Sequence, residues 1–125
     1  MGHFSQNGGS IVFFSSVMGS FGETGKSLYA MTKGALQSGA RSLACELAPK
    51  QIRVNTISPG AIVTPINEHL AHISDPVKRK ELEDMHLLGL GKTEDVANAC
   101  IYLLSDASRW VTGINLFVDG GYSVK

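Results

Sequence analysis

The stretch ELAPKQIRVNTISPG, residues 46–60, joins an apolar helical pattern to a β-rich run within a few residues. Pro49 ends the helical pattern, because a proline inside a helix removes a hydrogen bond and clashes with the preceding turn. Pro59 and Gly60 end the β-rich run. A helix that passes so quickly into a strand is typical of the crossover unit in a parallel sheet, so this stretch predicts such a sheet.

Upstream of this stretch, the sequence predicts one more strand and one long helix. SIVFFSS, residues 10–16, is short, apolar and rich in β-formers, which is typical of a buried central strand. Residues 28–47 predict a helix, because apolar residues recur there at helical spacing and form one stripe. The stripe consists of Leu36, Ala40, Leu43 and Leu47.

Downstream, the charged segment 61–91 predicts two short helices on a mobile excursion, because Pro76 interrupts any single long helix. Thr93, followed by two acidic residues, predicts the capped start of another helix that ends near Ser105. Residues 114–121, INLFVDGG, predict a last strand. The buried stripe of the helix is predicted to be Ala97, Cys100, Ile101 and Leu104.

The order of these elements predicts an α/β fold with about three parallel strands and flanking helices. In sheets of this kind, ligands bind beyond the carboxyl ends of the strands. Those ends lie at Ser15 and Ser16, at residues 58–60, and at residues 119–121.

Length and composition narrow the class of protein. A chain of 125 residues is one domain at most, and its 11 basic and 11 acidic residues give no general attraction for nucleic acid or an acidic membrane. Cys45 and Cys100 lie inside apolar helical patterns without metal-ligand spacing, which predicts buried thiols in a reducing compartment. The N-terminus has no apolar run, so a soluble, cytoplasmic protein is expected.

One segment suggests two different active sites, the first of which is a phosphate-binding loop at Gly25-Lys26-Ser27. A Walker-type loop needs a glycine, four residues and then Gly-Lys-Ser or Gly-Lys-Thr, almost directly after a strand. Ser20 stands where the first glycine is required, and several residues separate it from the strand. The departure disfavours a nucleotide hydrolase and favours a solvated loop position for Lys26.

The second suggestion is a proton-transfer pair, because Tyr29 and Lys33 lie four positions apart and share one face of the helix. An ammonium near a phenol favours the deprotonated form, which lets a tyrosine exchange protons with a carbonyl or alcohol oxygen. A solvated lysine beside a half-buried tyrosine would give the same spacing. Ser16, thirteen positions before Tyr29 at the end of a strand, supports the chemical interpretation.

Five stretches together resemble the C-terminal half of the classical short-chain dehydrogenase/reductase family, and bacterial 3-oxoacyl-[acyl-carrier-protein] reductases look most similar. They are GGSIVFFSS, YAMTKGAL, ELAPKQIRVNTISPGAIVTP, KTEDVANACIYLLSDASRWVTG and VDGG. The resemblance implies part of a Rossmann-like, doubly wound parallel sheet. It further implies that residues 1–125 are the C-terminal catalytic half of a single Rossmann-type domain, with the N-terminal dinucleotide-binding half absent.

The resemblance also implies roles for particular residues. Tyr29 would be the general acid/base, Ser16 would hold the substrate oxygen, and Lys33 would make the Tyr29 hydroxyl more acidic and bind the nicotinamide ribose. The remaining implied positions contact the cofactor. Pro59 and Gly60 would shape the wall beside the nicotinamide, Ile62 would offer its backbone to the carboxamide, and Thr64 would lie near the phosphate or amide. Residues 65–88 would cover the substrate.

Two classes of function remain open at this point. The first is an NAD(P)-dependent oxidoreductase acting on a small carbonyl or secondary alcohol, with a carrier-bound 3-oxoacyl thioester as one candidate. The second is a non-catalytic remnant or assembly subunit that cannot bind the dinucleotide alone, because the sequence has no glycine-rich turn before Ser10. The residue that would choose between NAD and NADP is also absent from the sequence, so either cofactor is expected equally.

The resemblance implies a homo-oligomer, a dimer or tetramer, whose interface includes the helix that carries Tyr29. The small residues Gly34, Ser38 and Ser42 would permit close helix approach, although they could equally pack on the sheet. Neither nucleic acid nor a membrane is expected as a partner. His69 and His72 lack a third placed ligand, so no metal site is expected.

Overall fold

The computed structural model describes residues 8–125. Its strands are β1 (Gly9–Phe14), β2 (Ile52–Pro59) and β3 (Asn115–Val118). Its α-helices are α1 (Ser27–Leu47), α2 (Ala71–Ser74), α3 (Pro76–Asp84) and α4 (Thr93–Leu104). The predicted sequence of elements is therefore confirmed, including the interruption before Pro76, where Asp75 caps α3 by accepting from the N–H groups of Val77 and Lys78.

The three strands form one parallel sheet in the order β1-β2-β3. Gly9 pairs with Ile52 and Phe14 with Ile57, while Thr56 pairs with Asn115. The predicted α/β fold with parallel strands is confirmed. The expectation that residues 10–16 form the central strand is wrong for the described residues: β2 is central and mostly buried, whereas β1 is half-buried and pairs on one edge only.

The first face of the sheet packs against α1. Alternate residues of a strand point to opposite faces, so Ile52 and Val54 lie together on the face that meets α1, where Ala40, Ala44 and Leu47 complete the core. The buried stripe of α1 is rotated slightly from the predicted one. Gln37 is buried in it, whereas Leu36 and Leu43 are half-buried.

The second face of the sheet packs against α4, and here the predicted stripe is largely wrong. Leu103 is fully buried, and Val96, Ala99 and Cys100 are half-buried, whereas Ile101 and Leu104 are exposed. The apolar residues of α4 cover two faces of the helix, so apolar spacing alone did not indicate which face meets the sheet.

A half-buried arginine, Arg53, fixes the end of α4 against β2. The Arg53 guanidinium donates to the carbonyl oxygens of Leu103 at 2.9 Å, Ser105 at 3.1 Å and Val111 at 3.3 Å, and to Ser108 Oγ at 2.9 Å. The last carbonyls of a helix have no partner within it and carry partial negative charge. Arg53 therefore satisfies the C-terminal end of α4 and ties it to the central strand.

Two further expectations need correction. Cys100 is half-buried, but Cys45 is exposed, so a buried thiol is wrong for Cys45; neither cysteine forms a disulfide. Ser38 and Ser42 are exposed on α1, so packing on the sheet does not explain them. Gly34 is half-buried, and a Cβ there would lie 3.3 Å from the carbonyl oxygen of Gly19.

Within residues 8–125, no helix is both long and apolar enough to span a membrane. In the same part of the chain, no three histidine, cysteine, aspartate or glutamate side chains gather as metal ligands would.

Replacing Arg53 with alanine is expected to lower the free energy of unfolding by about 3 kcal/mol, because four acceptors at the end of α4 and in the segment after it lose a charged donor. Urea unfolding followed by circular dichroism measures the loss. Arg41→Ala is the matched control, since Arg41 is exposed on α1, and it should change the free energy by less than about 0.5 kcal/mol. Equal effects of the two variants would contradict the role given to Arg53.

Candidate active site

Ser16 begins the turn that follows β1, and its hydroxyl is already oriented by the backbone. Its Oγ accepts a hydrogen bond from the N–H of Met18 at 3.1 Å and so caps the short 3-10 helix of residues 17–19. A hydroxyl has two acceptor lone pairs and one donor proton. The Met18 bond uses a lone pair, so the Ser16 proton stays available to an oxygen in the adjoining cavity, which Ser16 lines.

Tyr29 and Lys33 lie one turn apart near the start of α1. The Lys33 ammonium is 5.7 Å from the centroid of the Tyr29 ring, within the range of a cation–π contact. Lys33 Nζ also donates to the carbonyl oxygen of Phe14, the last residue of β1, at 3.0 Å. The Tyr29 side chain is 46% exposed, and its hydroxyl bonds to no other residue in the range 8–125. The phenol is therefore free to meet a ligand.

The structure brings six of the seven sequence-predicted site residues to one cavity of about 340 Å³. These residues are Ser16, Tyr29, Pro59, Gly60, Ile62 and Thr64. Ser16, Tyr29 and Gly60 also line a larger neighbouring cavity of about 940 Å³, a size typical of small-molecule sites. Lys33 lines neither cavity and lies behind Tyr29, with its ammonium against the end of β1.

Residues 59–64, which end β2 and follow it, form one wall of the smaller cavity, and among the residues described one backbone N–H group of this wall has no hydrogen-bond partner. The N–H of Gly60 donates to Val118 O, that of Ala61 to His86 Nε2, and that of Val63 to Gly91 O. The N–H of Thr64 donates to Asn67 Oδ1 at 2.8 Å. Among the residues described, the N–H of Ile62 has no partner. A backbone donor at a cavity wall is suited to a ligand carbonyl oxygen.

Asn67 holds the far end of this wall and was not singled out from the sequence. Its Oδ1 accepts from the N–H of Thr64, and its Nδ2 donates to the carbonyl oxygen of Ile62 at 2.8 Å. The Thr64 hydroxyl has no partner within residues 8–125. An asparagine three residues after a threonine in a loop was the available signal, because asparagine side chains commonly bond to nearby backbone.

Gln37 lies beneath the Ser16 turn and was also missed, because it falls in an apolar stripe. Its Nε2 donates to Ser15 Oγ at 2.9 Å, Ser16 O at 3.1 Å and Ser58 Oγ at 3.1 Å, while its Oε1 accepts from Ser20 Oγ. The side chain is 7% exposed. Gln37 therefore connects α1, the turn that carries Ser16 and the end of β2. A polar residue in an apolar helical stripe was the available signal.

The structure also places the residues of the rejected alternatives. Lys26 is exposed just before α1 and lines the larger cavity, which agrees with a solvated position. His72, in α2, lines both cavities together with Ser16, whereas His69 lines neither. His72 was considered as a metal ligand from the sequence; the structure places it instead among the residues that line the candidate active site.

Asp119, after β3, organises the turn at the third strand end. Its Oδ1 accepts from the N–H of Gly121 at 3.0 Å and its Oδ2 from the N–H of Ser123 at 2.9 Å. Partial burial raises the pKa of the Asp119 carboxyl, but the hydrogen bonds from Ser123 and Gly121 outweigh it and lower the pKa below its usual value. Gly120 and Gly121 both have positive φ, which glycine adopts readily.

A family profile described as Enoyl-(Acyl carrier protein) reductase matches residues 1–123 of the chain. A solved structure of a short-chain type dehydrogenase/reductase from Mycobacterium ulcerans is 35% identical, with a TM-score of 0.89 over 95% of this chain and 43% of that chain. The chain belongs to the short-chain dehydrogenase/reductase family. The resemblance inferred from the sequence motifs is confirmed.

Curated relatives match along almost the whole of this chain. A tropinone reductase homolog of Arabidopsis thaliana is 42% identical over 94% of this chain and 43% of its own length. The 3-oxoacyl-[acyl-carrier-protein] reductase of Mus musculus is 44% identical over 93% of this chain and 46% of its own length. The chain thus spans less than half the length of these relatives.

Two of the solved structures similar to this chain contain a nicotinamide cofactor. A 4-hydroxyisoleucine dehydrogenase complexed with NADH is 32% identical, with a TM-score of 0.88 over 93% of this chain and 47% of that chain. ElxO with NADP bound is also 32% identical, with a TM-score of 0.85 over the same shares of the two chains. Structural neighbours therefore bind either cofactor.

Asp119→Asn is expected to lower the free energy of unfolding by about 1–2 kcal/mol at pH 7, because one charge-assisted hydrogen bond is lost. A carboxyl with a lowered folded-state pKa stabilises the fold above its unfolded pKa of about 4 and loses that contribution as the pH falls through the folded-state pKa. The deficit of the variant should therefore shrink below pH 4. Urea unfolding at pH 7 and pH 3 measures it.

The control for this prediction is Asp106→Asn, because Asp106 is exposed in the turn that follows α4. It should shift the free energy of unfolding by less than about 0.5 kcal/mol at either pH. A deficit of the Asp119 variant that is independent of pH would show that the charge of the carboxylate is not what stabilises the turn.

Proposed function

We propose that this chain carries the catalytic part of an NAD(P)-dependent oxidoreductase that transfers a hydride between a nicotinamide cofactor and a carbonyl or secondary alcohol. The observation that carries the proposal is the cavity lined together by Ser16, Tyr29 and the 59–64 wall. Membership of the short-chain dehydrogenase/reductase family supports the class of reaction. Neighbours that hold NADH or NADP support the class of cofactor.

The proton chemistry is assigned to three side chains of the proposed active site. In the direction of reduction, the Tyr29 hydroxyl donates its proton to the carbonyl oxygen as that oxygen gains negative charge. The Ser16 hydroxyl donates a hydrogen bond to the same oxygen and holds it in place. The Lys33 ammonium, near the Tyr29 ring, favours the phenolate that remains. In the reverse direction, Tyr29 takes the proton from the alcohol.

The cofactor is proposed to lie against the 59–64 wall. The open N–H of Ile62 suits the carboxamide oxygen, and the unpaired Thr64 hydroxyl suits an amide or phosphate. Pro59 and Gly60 shape the wall beside the ring, and Lys33 and Tyr29 bind the ribose. When bound, the nicotinamide supplies or accepts the hydride. The proposal covers NAD and NADP alike, because the sequence contains no ribose-reading residue after a glycine-rich turn.

For the substrate, we propose a small carbonyl or alcohol compound with an apolar body, with a carrier-bound 3-oxoacyl thioester as the first candidate. The larger cavity is lined by several apolar side chains, which are Val17, Met18, Leu28, Leu82 and Met85. The 3-oxoacyl-[acyl-carrier-protein] reductase of Mus musculus is among the relatives. An apolar chain beside the Ser16 and Tyr29 hydroxyls fits such a cavity.

We also propose that residues 1–125 form the C-terminal catalytic half of a Rossmann-type domain, because relatives matched along this chain are about twice as long. A homo-oligomer, a dimer or tetramer, is proposed through the exposed side of α1. Leu28 and Met31 are exposed there, and Ser38 and Ser42 allow close approach. The two unpaired thiols support a cytoplasmic location.

The second candidate function is a subunit or remnant that does not bind the dinucleotide alone. The observation that favours it is the free edge of β1, which pairs only with β2 among the residues described. Phe14 at the end of that strand is 49% exposed, and Ile101 on α4 is 64% exposed. Unpaired strand edges and exposed apolar side chains are usually covered by further chain.

Cofactor binding separates the two candidates. The 125-residue chain alone is expected to bind NADH and NADPH weakly or not at all, because its sequence lacks the glycine-rich turn that holds the pyrophosphate. Isothermal titration calorimetry of the purified chain measures this. Mixing the chain with the other half of the Mus musculus relative should restore binding if the chain is a catalytic half. Tight stoichiometric binding by the chain alone would contradict the expectation.

Tyr29→Phe, in whichever form binds the cofactor, is expected to lower kcat at least about 1,000-fold, because the proton donor is lost. The Kd for NADPH should change by less than about threefold, since the aromatic ring and the proposed ribose ligand Lys33 both remain. The control is Tyr102→Phe on α4, where the tyrosine is outside both cavities. Turnover of the Tyr29 variant near the wild-type rate would overturn the role of Tyr29.

A further inference from the structure

His86 follows α3 and is almost completely buried, with 5% of its surface exposed. Both of its ring nitrogens are used within the chain. Nδ1 lies 2.8 Å from the carbonyl oxygen of Leu82, and Nε2 accepts from the N–H of Ala61 at 3.0 Å. The imidazole therefore connects α3, which carries Leu82, to the 59–64 wall, which contains Ala61.

These partners determine the protonation of the His86 ring. The Ala61 N–H is a donor, so Nε2 must be the unprotonated nitrogen of a neutral imidazole. The ring proton is then on Nδ1, where the Leu82 carbonyl accepts it. No nitrogen of this ring is left for a metal, and none is left to exchange a proton with a substrate. Its role must be exerted through its two partners.

The ring also fills the space beside the wall. A Cβ on Gly60 would lie 2.8 Å from His86 Nε2 and 2.9 Å from the Cα of Asp119, so glycine is required where the imidazole approaches the backbone. On another side, the centroid of the Tyr122 ring is 5.2 Å from that of His86. The wall after β2, α3 and the turn after β3 together therefore fix the position of the imidazole.

The hydrogen bond between His86 and the Ala61 N–H matters because Ala61 lies directly before Ile62 in the wall. Ala61 precedes Ile62, whose N–H is the open donor of the wall, and its carbonyl oxygen accepts from the N–H of Gly91 at 3.0 Å. The peptide group between Gly60 and Ala61 is thus held by the His86 bond, and the next one by Gly91. Without the His86 bond, the Ala61 N–H would be a second unsatisfied donor beside Ile62.

We propose that His86 is a positioning residue that fixes the wall so that the Ile62 N–H alone is presented to the cofactor, and that it couples this wall to α3. The inference rests on the proposed cofactor site and adds to it a residue that no family motif of the chain includes. Because one ring holds both Leu82 and Ala61, movement of α3 over the larger cavity is transmitted to the cofactor wall.

Two variants of His86 separate its two bonds, because an asparagine amide reaches the position of Nδ1 and a glutamine amide reaches that of Nε2. His86→Gln can keep an acceptor for the Ala61 N–H, whereas His86→Asn keeps only the donor to Leu82. Hydrogen exchange of the Ala61 amide in the purified chain, followed by NMR, should be about tenfold faster in the Asn variant. In the Gln variant it should stay within about threefold of wild type.

His69→Asn is the matched control, because His69 is exposed and lines neither cavity. It should leave the exchange of Ala61 unchanged. Equal exchange in the Gln and Asn variants of His86, or faster exchange in the Gln variant, would overturn the proposal. Should the Asn variant not fold, the nitrogen shifts of the wild-type ring decide: a proton on Nδ1 supports the bridge, and a proton on Nε2 overturns it.

The functional part of the inference needs a form that binds the cofactor. There, His86→Asn should raise the Kd for NADPH about tenfold, and His86→Gln should restore most of the affinity. Faster Ala61 exchange with an unchanged Kd would overturn the positioning role. Failure of every form to bind NADPH would refute the proposed function alone, since Ala61 exchange is measured without cofactor and still tests the bridge.

Discussion

The parallel pairing of β1 with β2, with Phe14 opposite Ile57, determines where every candidate site residue lies. Both strands run in one direction and end at nearly the same level, so the Ser16 turn and the 59–64 wall leave the sheet side by side. The helix α1 then returns across β1 and β2 and brings Tyr29 to the same edge. A shift of register by one residue would reverse the faces of the strand and separate Ser16 from Gly60.

Polar contacts beneath this edge reinforce the register. Lys33 bonds to the last carbonyl of β1, and Gln37 bonds to the turn after β1 and to Ser58 in β2. Residues of α1 therefore contact both strand ends at positions one turn apart. The same helix that presents the proposed proton donor also holds the backbone on which Ser16 lies, so the geometry of the pair depends on one rigid element.

Much of this arrangement could be predicted from the sequence. Prolines and glycines mark the ends of β2, and the spacing of Tyr29 and Lys33 depends only on the period of a helix. Six of the predicted site residues do meet at one cavity, because the carboxyl ends of parallel strands share an edge. These features follow from local pattern and from topology, which a single sequence can reveal.

The rest depends on long-range contacts that leave no local signal. His86 is one histidine in a charged segment, and only the folded chain shows that it reaches Ala61, 25 residues earlier. The orientation of α4 was predicted incorrectly because apolar residues occur on two of its faces, and packing against β2 buries Leu103 instead of Leu104. Gln37 was missed because its partners lie in the turn after β1 and in β2, both far from it along the chain.

The Arg53 junction has a further consequence for the conditions that the fold tolerates. The acceptors of this guanidinium are three backbone carbonyls and one hydroxyl, and none of them gains or loses a proton in water at ordinary pH. A junction made with a carboxylate would weaken on acidification, whereas this one keeps its charge and its partners. The attachment of α4 to the central strand should therefore persist in acid that already protonates surface carboxylates.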